Sequence, residues 1–146
     1  MKIDSPELVV VGMQSDGKSS FIEALLSFQF NIVESSIGTR RPLIIQMIND
    51  QSKKDPYCRF RKEDIGNASK IDVNKIQEDF FEKEPIPVYK LSDELNRRTN
   101  EVAGYSTDCV SSKPIILRVE YCGCANLTIF DTPGNIFHLI CNTISY

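Results

Sequence analysis

Residues 12–19 read Gly-Met-Gln-Ser-Asp-Gly-Lys-Ser, the spacing G-x-x-x-x-G-K-[ST] of a phosphate-binding loop. On its N-terminal side runs Glu7-Leu-Val-Val-Val-Gly12, an apolar, β-branched stretch predicted to be a buried strand. On its C-terminal side, Ser20-Phe-Ile-Glu-Ala-Leu-Leu-Ser27 sets Phe21, Ile22, Leu25 and Leu26 at helical spacing. Gly12 and Gly17 lack a Cβ, so the backbone can turn sharply and approach a ligand closely. Successive N–H groups then face one concavity, and the helix adds unpaired donors and a partial positive charge. Lys18 brings a full charge toward β- and γ-phosphates, and the Ser19 hydroxyl is suited to Mg²⁺. The bland alternative is a chance glycine-rich turn. The flanking strand and helix argue against it.

A second element follows at the end of Leu127-Thr-Ile-Phe-Asp131, where an acidic residue terminates an apolar strand and Asp131-Thr-Pro-Gly134 turns away. This is the Walker B arrangement, which holds Mg²⁺ directly or through water. Gly134 lets a backbone N–H approach a γ-phosphate. Alone, D-x-P-G is a common turn; after a phosphate loop and a strand it reads as a metal and phosphate sensor. Between these elements, residues 27–39 leave the first helix as a polar loop ending Gly38-Thr39, followed by Arg40-Arg41-Pro42. A threonine here can complete a Mg²⁺ shell. Composition alone favours a plain loop threonine beside a solvated basic pair.

The rest of the chain reads as scaffold. Leu43–Asn49 is a predicted strand, and residues 50–71 a charged surface excursion. Asp72 can cap a helix through Glu84, with Ile76, Phe80 and Phe81 on its apolar side, stopped by Pro85 and Pro87. Ser92 can cap a second helix, Asp93–Ala103, ended by Gly104 and buried through Leu95, Val102 and Ala103. Residues 114–121 and 127–130 are strands whose short connection suits an antiparallel hairpin.

At 146 residues, 41% hydrophobic and 25% charged, the chain has the make-up of one soluble globular domain. A net charge of -3 argues against a general nucleic-acid binder. No apolar run approaches membrane-spanning length, and the polar start Met1-Lys-Ile-Asp-Ser-Pro-Glu7 shows no secretory signal. Cys58, Cys109, Cys122, Cys124 and Cys141 are irregularly spaced. Reduced structural thiols of a cytosolic protein suit them better than a metal pair at Cys122-Gly-Cys124.

Taken together, Gly12–Ser20, Gly38-Thr-Arg-Arg-Pro-Leu43 and Leu127–Gly134 resemble the GTPase domain of the dynamin superfamily. The Thr-Arg-Arg-Pro element is specific to that family and reverses the bland reading of Thr39. Ser-Asp-Gly-Lys18 with Phe28-Gln-Phe-Asn31 is most similar to plant dynamin-related proteins of the cytokinesis and chloroplast-division branch. The resemblance implies an α/β fold, a P-loop NTPase three-layer sandwich, with GTP and Mg²⁺ bound and GTP hydrolysed to GDP and phosphate. It implies nucleotide contacts from Gly12, Ser15, Asp16, Gly17, Lys18, Ser19, Ser20 and Gly134. It assigns Mg²⁺ to Ser19, Thr39 and Asp131, and catalysis to Gln14, Ser15, Lys18 and Thr39. Gln14 and Ser15 would position the attacking water and a monovalent cation.

The family also implies self-association of such domains across the nucleotide or with full-length dynamin relatives. Membranes and microtubules are further implied partners, with a cytoplasmic place near a cell plate or plastid division site. Asp16 departs from the small neutral residue usual at its position. The resemblance ends at Gly134, and residues 135–146 match nothing in the pattern, nor does a guanine-reading Thr-Lys-x-Asp occur. The expected organisation is therefore the N-terminal part of a G domain over 1–134, incomplete at its C-terminus, with a non-homologous tail. Such a sheet would expose an apolar edge and favour marginal stability and aggregation. Two further readings follow: a catalytically silent nucleotide-binding fragment, or a dominant-negative partner of a longer relative. His138, in the tail, carries no assigned role.

Overall fold

A computed structural model describes residues 6–10, 17–26, 40–63, 81–105 and 110–131. They form five strands and two helices: β1 Glu7–Val10, α1 Lys18–Leu26, β2 Leu43–Asn49, β3 Tyr57–Phe60, α2 Leu91–Ala103, β4 Ile115–Tyr121 and β5 Leu127–Asp131. The strands make one mixed sheet in the order β1-β5-β2-β4-β3. β1 runs parallel to β5, and β2 parallel to β4, while β2 is antiparallel to β5 and β3 to β4. This is an α/β architecture with parallel and antiparallel pairs in one sheet.

Period-two alternation sorts the strand residues onto two faces. On one face Leu43, Ile45, Met47, Cys58, Phe60, Leu117, Val119, Tyr121 and Ile129 join Ile22 and Leu26 of α1 and Leu91 and Leu95 of α2 in the main core. The other face carries a smaller apolar group, Ile44, Ile116, Phe130 and Phe81, beside a buried polar set. Arg118 there lies 3.9 Å from the centre of the Phe81 ring, and Arg59, opposite it on β3, donates to Glu120 at 2.9 Å. Lys53 completes an ion cluster on Glu120.

Several sequence expectations are corrected. Residues 114–121 and 127–130 do run antiparallel, but β2 lies between them, so they form no hairpin with each other. Their connection arches over the end of β2, where the Asn49 side-chain amide donates to the carbonyls of Cys122 and Cys124 at 3.2 and 2.6 Å. The side-chain oxygen of Asn126 in turn accepts from the Asn49 N–H at 2.8 Å. The surface excursion over 50–71 contains β3, whose Cys58 and Phe60 are fully buried. β1 is not a buried strand: it is the outermost strand of the described sheet, and Val9 is 49% exposed.

The helices also differ from expectation. Of the helix predicted from Asp72 to Glu84, residues 72–80 lie outside the described part. Residues 81–84 are not helical, because Phe81 pairs with Arg61 as an isolated bridge. α2 begins at Leu91 rather than after a Ser92 cap, since a 3-10 turn over Val88–Lys90 feeds directly into it. Its buried stripe is Leu91, Leu95, Arg98 and Thr99, while Val102 is exposed. Arg98 is accommodated by Glu94 at 2.7 Å, by Glu82, and by the Phe60 ring 4.5 Å away. Gly104 ends the helix as expected, at φ 84°, with its N–H on the Asn100 carbonyl.

Candidate nucleotide-binding site

The sheet register brings together the strand ends that adjoin the three sequence elements. Val10, the last residue of β1 before the phosphate loop, is paired with Asp131, the last residue of β5. Asp131 is paired on its other side with Leu43, the first residue of β2, immediately after Arg40-Arg41-Pro42. Because β2 is antiparallel to β5, its beginning lies at the carboxyl ends of β1 and β5. Carboxyl ends of parallel strands are where open α/β sheets bind ligands.

Each strand end delivers its element for a local reason. The alternation Leu127, Ile129, Asp131 puts the carboxylate on the sheet face against which α1 packs. Its neighbours on the strand are apolar and buried, so Asp131 is itself only 2% exposed. α1 is held there by Ile22 and Leu26, both fully buried, and by Tyr121, whose hydroxyl donates to the Leu26 carbonyl. Gly17 stands at the helix start with φ 81°, a left-handed conformation in which a side chain would be strained. The first helical bond runs from the Phe21 N–H to the Gly17 carbonyl at 3.0 Å. The N–H groups of Lys18, Ser19 and Ser20 therefore precede the helical bonding pattern and form the donor end of α1.

These features fit a nucleotide phosphate and Mg²⁺. A helix N-terminus begins on a left-handed glycine, no atom of the described residues crowds the space where a Gly17 Cβ would sit, and a buried carboxylate ends the adjacent strand. Ser20 is exposed at this helix start. Lys18 and Ser19 lie in its first turn, while Gly12, Gln14, Ser15, Asp16, Thr39 and Gly134 lie outside the described residues. Among the described residues, no three His, Cys, Asp or Glu side chains gather around a common point. Cys124 instead donates to the carbonyls of Ile48 and Tyr121 at 3.1 and 3.3 Å, which occupies it structurally.

The basic pair is where sequence reading missed most. Arg40 and Arg41 are not solvated: they are 8% and 1% exposed. Arg41 donates to the carbonyls of Lys113, Arg98 and Pro114 at 2.9, 2.6 and 3.2 Å and pairs with Glu63 at 3.1 Å. Burial pushes its guanidinium pKa down, and the Glu63 carboxylate opposes that. Arg40 donates to the Asn100 side-chain oxygen at 2.9 Å and to the Gly104 carbonyl. A doubled basic residue in a polar loop carries no sign of burial; only the resemblance singled the pair out.

A sequence profile described as "Dynamin family" matches residues 8–137. That span runs from within β1 to beyond Asp131 and takes in all three sequence motifs. The chain belongs to the dynamin family. Among curated dynamins it is 51% identical to dynamin-like protein C of Dictyostelium discoideum, over 92% of this chain and 18% of that protein. It is 43% identical to dynamin-related protein 5A of Arabidopsis thaliana, over 91% of this chain and 15% of that protein. Likeness to the Arabidopsis dynamin-like protein ARC5 is 35%, over 91% of this chain and 15% of that protein. The chain thus spans less than a fifth of these dynamins, and two of the three are plant proteins. The five-stranded mixed sheet is that of a dynamin-type G domain in part.

Proposed function

We propose that this chain binds GTP with Mg²⁺ and takes part in its hydrolysis to GDP and phosphate, as the N-terminal portion of a dynamin-like large GTPase. Residues 1–134 are assigned to the G domain; the family match runs on to residue 137, into the tail expected to be non-homologous. The observation that carries the reading is the register Val10–Asp131–Leu43, which sets the strand ends of three phosphate- and metal-handling motifs side by side.

In this reading the α1 donor end, Gly12 and Ser15 to Ser20 bind the phosphate oxygens. Lys18 places its ammonium on the β- and γ-phosphates. Ser19, Thr39 and Asp131 would hold Mg²⁺, which would neutralise charge developing on the phosphate oxygens. Gln14 and Thr39 orient a water in line with the γ-phosphorus, and Ser15 binds a monovalent cation. The new P–O bond forms from that water as the bridging bond to the β-phosphate oxygen breaks, leaving GDP and inorganic phosphate. Gly134 gives its N–H to the γ-phosphate. By family likeness, the longer protein would pair its G domains, work in membrane fission from a cytoplasmic position, and engage microtubules. In the described residues no helix is long and apolar enough to cross a membrane.

A second reading is a nucleotide-binding chain without turnover. Fluorescent GTP, GDP and ATP analogues titrated into the chain with Mg²⁺, beside Lys18→Ala, test both. GTP binding is expected to exceed ATP binding and to weaken about tenfold or more in Lys18→Ala, the value of a charge-assisted phosphate contact. Equal affinity for GTP and ATP would remove guanine selectivity. Absence of saturable binding would overturn the proposal. Binding without phosphate release would leave the second reading.

A further inference from the structure

The bonding of Arg40, Arg41 and Pro42 has a direction. On one side of these residues the chain leads back to Thr39; on the other it enters β2 beside Asp131. All three are fixed to elements remote in sequence. Arg40 bonds the last turn of α2 through Asn100 and Gly104, and its own carbonyl accepts from the Ser111 N–H at 2.9 Å. Arg41 bonds α2 at Arg98 and the lead into β4 at Lys113 and Pro114. The Pro42 carbonyl accepts from the Ile115 N–H at 2.8 Å. Enclosing two guanidinium groups is costly unless their donors are satisfied in good geometry. The planar, forked guanidinium fixes direction in a way an ammonium does not. The carbonyls at the end of α2 are also the negative end of that helix, a favourable place for the Arg40 charge.

We infer that Arg40 and Arg41 are positioning residues of the nucleotide site, fixing the chain next to Thr39 to the carboxyl end of α2. Thr39 is one peptide unit away, so its Cα is about 3.8 Å from that of Arg40, and the anchor sets the base from which it reaches metal and water. α2, which contributes no residue to the phosphate or metal set, becomes part of the site through its last turn. The inference rests on the proposed GTP reading. It demands a particular asymmetry: GDP binding depends on the phosphate loop and needs no contact from Thr39, whereas recognition of the third phosphate does.

The test compares Kd values for GDP and for the slowly hydrolysed analogue GTPγS in Mg²⁺, with phosphate release measured alongside. The variants are Asn100→Ala, Asn100→Asp, Arg40→Ala and, on the same helix, Glu101→Gln. Asn100→Ala and Arg40→Ala are expected to leave GDP affinity within about twofold and to lower GTPγS affinity about tenfold or more, with kcat falling alongside, as for a displaced reacting group. Their Mg²⁺ midpoint should rise. Asn100→Asp keeps an acceptor and should restore the ratio, and Glu101→Gln should not move it. Asn100→Ala guards against Arg40→Ala failing to fold, because it deletes the acceptor and leaves the arginine in place. An unchanged GTPγS-to-GDP ratio in a folded Asn100→Ala protein would overturn the inference alone. So would GDP and GTPγS affinities falling together. Failure of the unmodified chain to bind any guanine nucleotide would overturn the parent reading and this one with it.

Discussion

At the residue scale, Gly123 shows how a small position governs a larger one. A Cβ on Gly123 would overlap the Tyr121 ring. That ring is buried and its hydroxyl holds the Leu26 carbonyl at the end of α1. Gly123→Ala must therefore move the ring and break the tie between β4 and the phosphate-loop helix. The expected cost is about 1–3 kcal/mol, the range for overpacking, read as a lower midpoint in urea unfolding with an unchanged slope. An unchanged midpoint would show that the turn yields instead. Thiol chemistry is set at the same scale: Cys58 is fully enclosed in the core, and burial pushes its pKa up to about 12. Alkylation of the native protein at pH 8, followed by peptide mass mapping, should leave Cys58 unmodified while half-buried Cys122 reacts.

At the scale of elements, α2 carries its charges in a definite order. Glu94 is held below the usual glutamate value first by its hydrogen bond from Arg97, with Arg98 adding to that against the effect of burial. Its folded pKa lies below its unfolded one, so its contribution is fully present above the ordinary 4.5 and is lost as pH falls through the folded value. Thermal melts between pH 6 and pH 3 should therefore show an acid decline that is shallower in Glu94→Gln. Above pH 6 the variant should be less stable than the parent by roughly 0.5–1 kcal/mol, since Glu94 is partly exposed and screened. Parallel acid limbs in the two proteins would locate the decline elsewhere.

The elements also show what sequence could and could not reveal. β2, β4, β5, α1 and the Gly104 stop were legible because apolar runs, helical spacing and a terminal glycine each have a local cause. β3 was hidden, since Tyr57-Cys-Arg-Phe60 sits in a charged stretch and its burial comes only from pairing with β4. Arg118 and Glu120 alternate with apolar residues, a pattern that reads as a solvated face, yet Phe81 returns to cover that face. Arg40 and Arg41 were marked by family likeness and not by any feature of their own spacing. Val10 and Gly17 were legible from the pattern alone as a strand end and a helix start, because both have local causes. What joins them to Asp131 and Leu43 is sheet register, which no local window contains.

At the scale of the whole molecule, β1 pairs only with β5 among the described residues, and its Val9 is half exposed. A half-exposed apolar side chain on a marginal strand favours association with another chain. Val9→Lys should then lower concentration-dependent light scattering on incubation at 37 °C, while leaving the circular dichroism of the folded chain intact. Equal scattering would place the association surface elsewhere. The apolar face of β1 also carries Val10 into the main core, so the substitution is confined to the exposed position.

The placing of β2 between β4 and β5 has a consequence for how the chain is made. On the ribosome, Leu43-Ile-Ile-Gln-Met-Ile48 emerges long before either neighbour, since β4 begins at Ile115 and β5 is complete only at Asp131. At ordinary elongation rates of about 5–20 residues per second, that interval is on the order of ten seconds. For its duration a strongly apolar strand has both flanks bare. The arch of 122–126 cannot close until β2 is already seated beneath it. Assembly of this sheet is therefore ordered in time as well as in space, and translation speed across residues 50–114 becomes a determinant of yield.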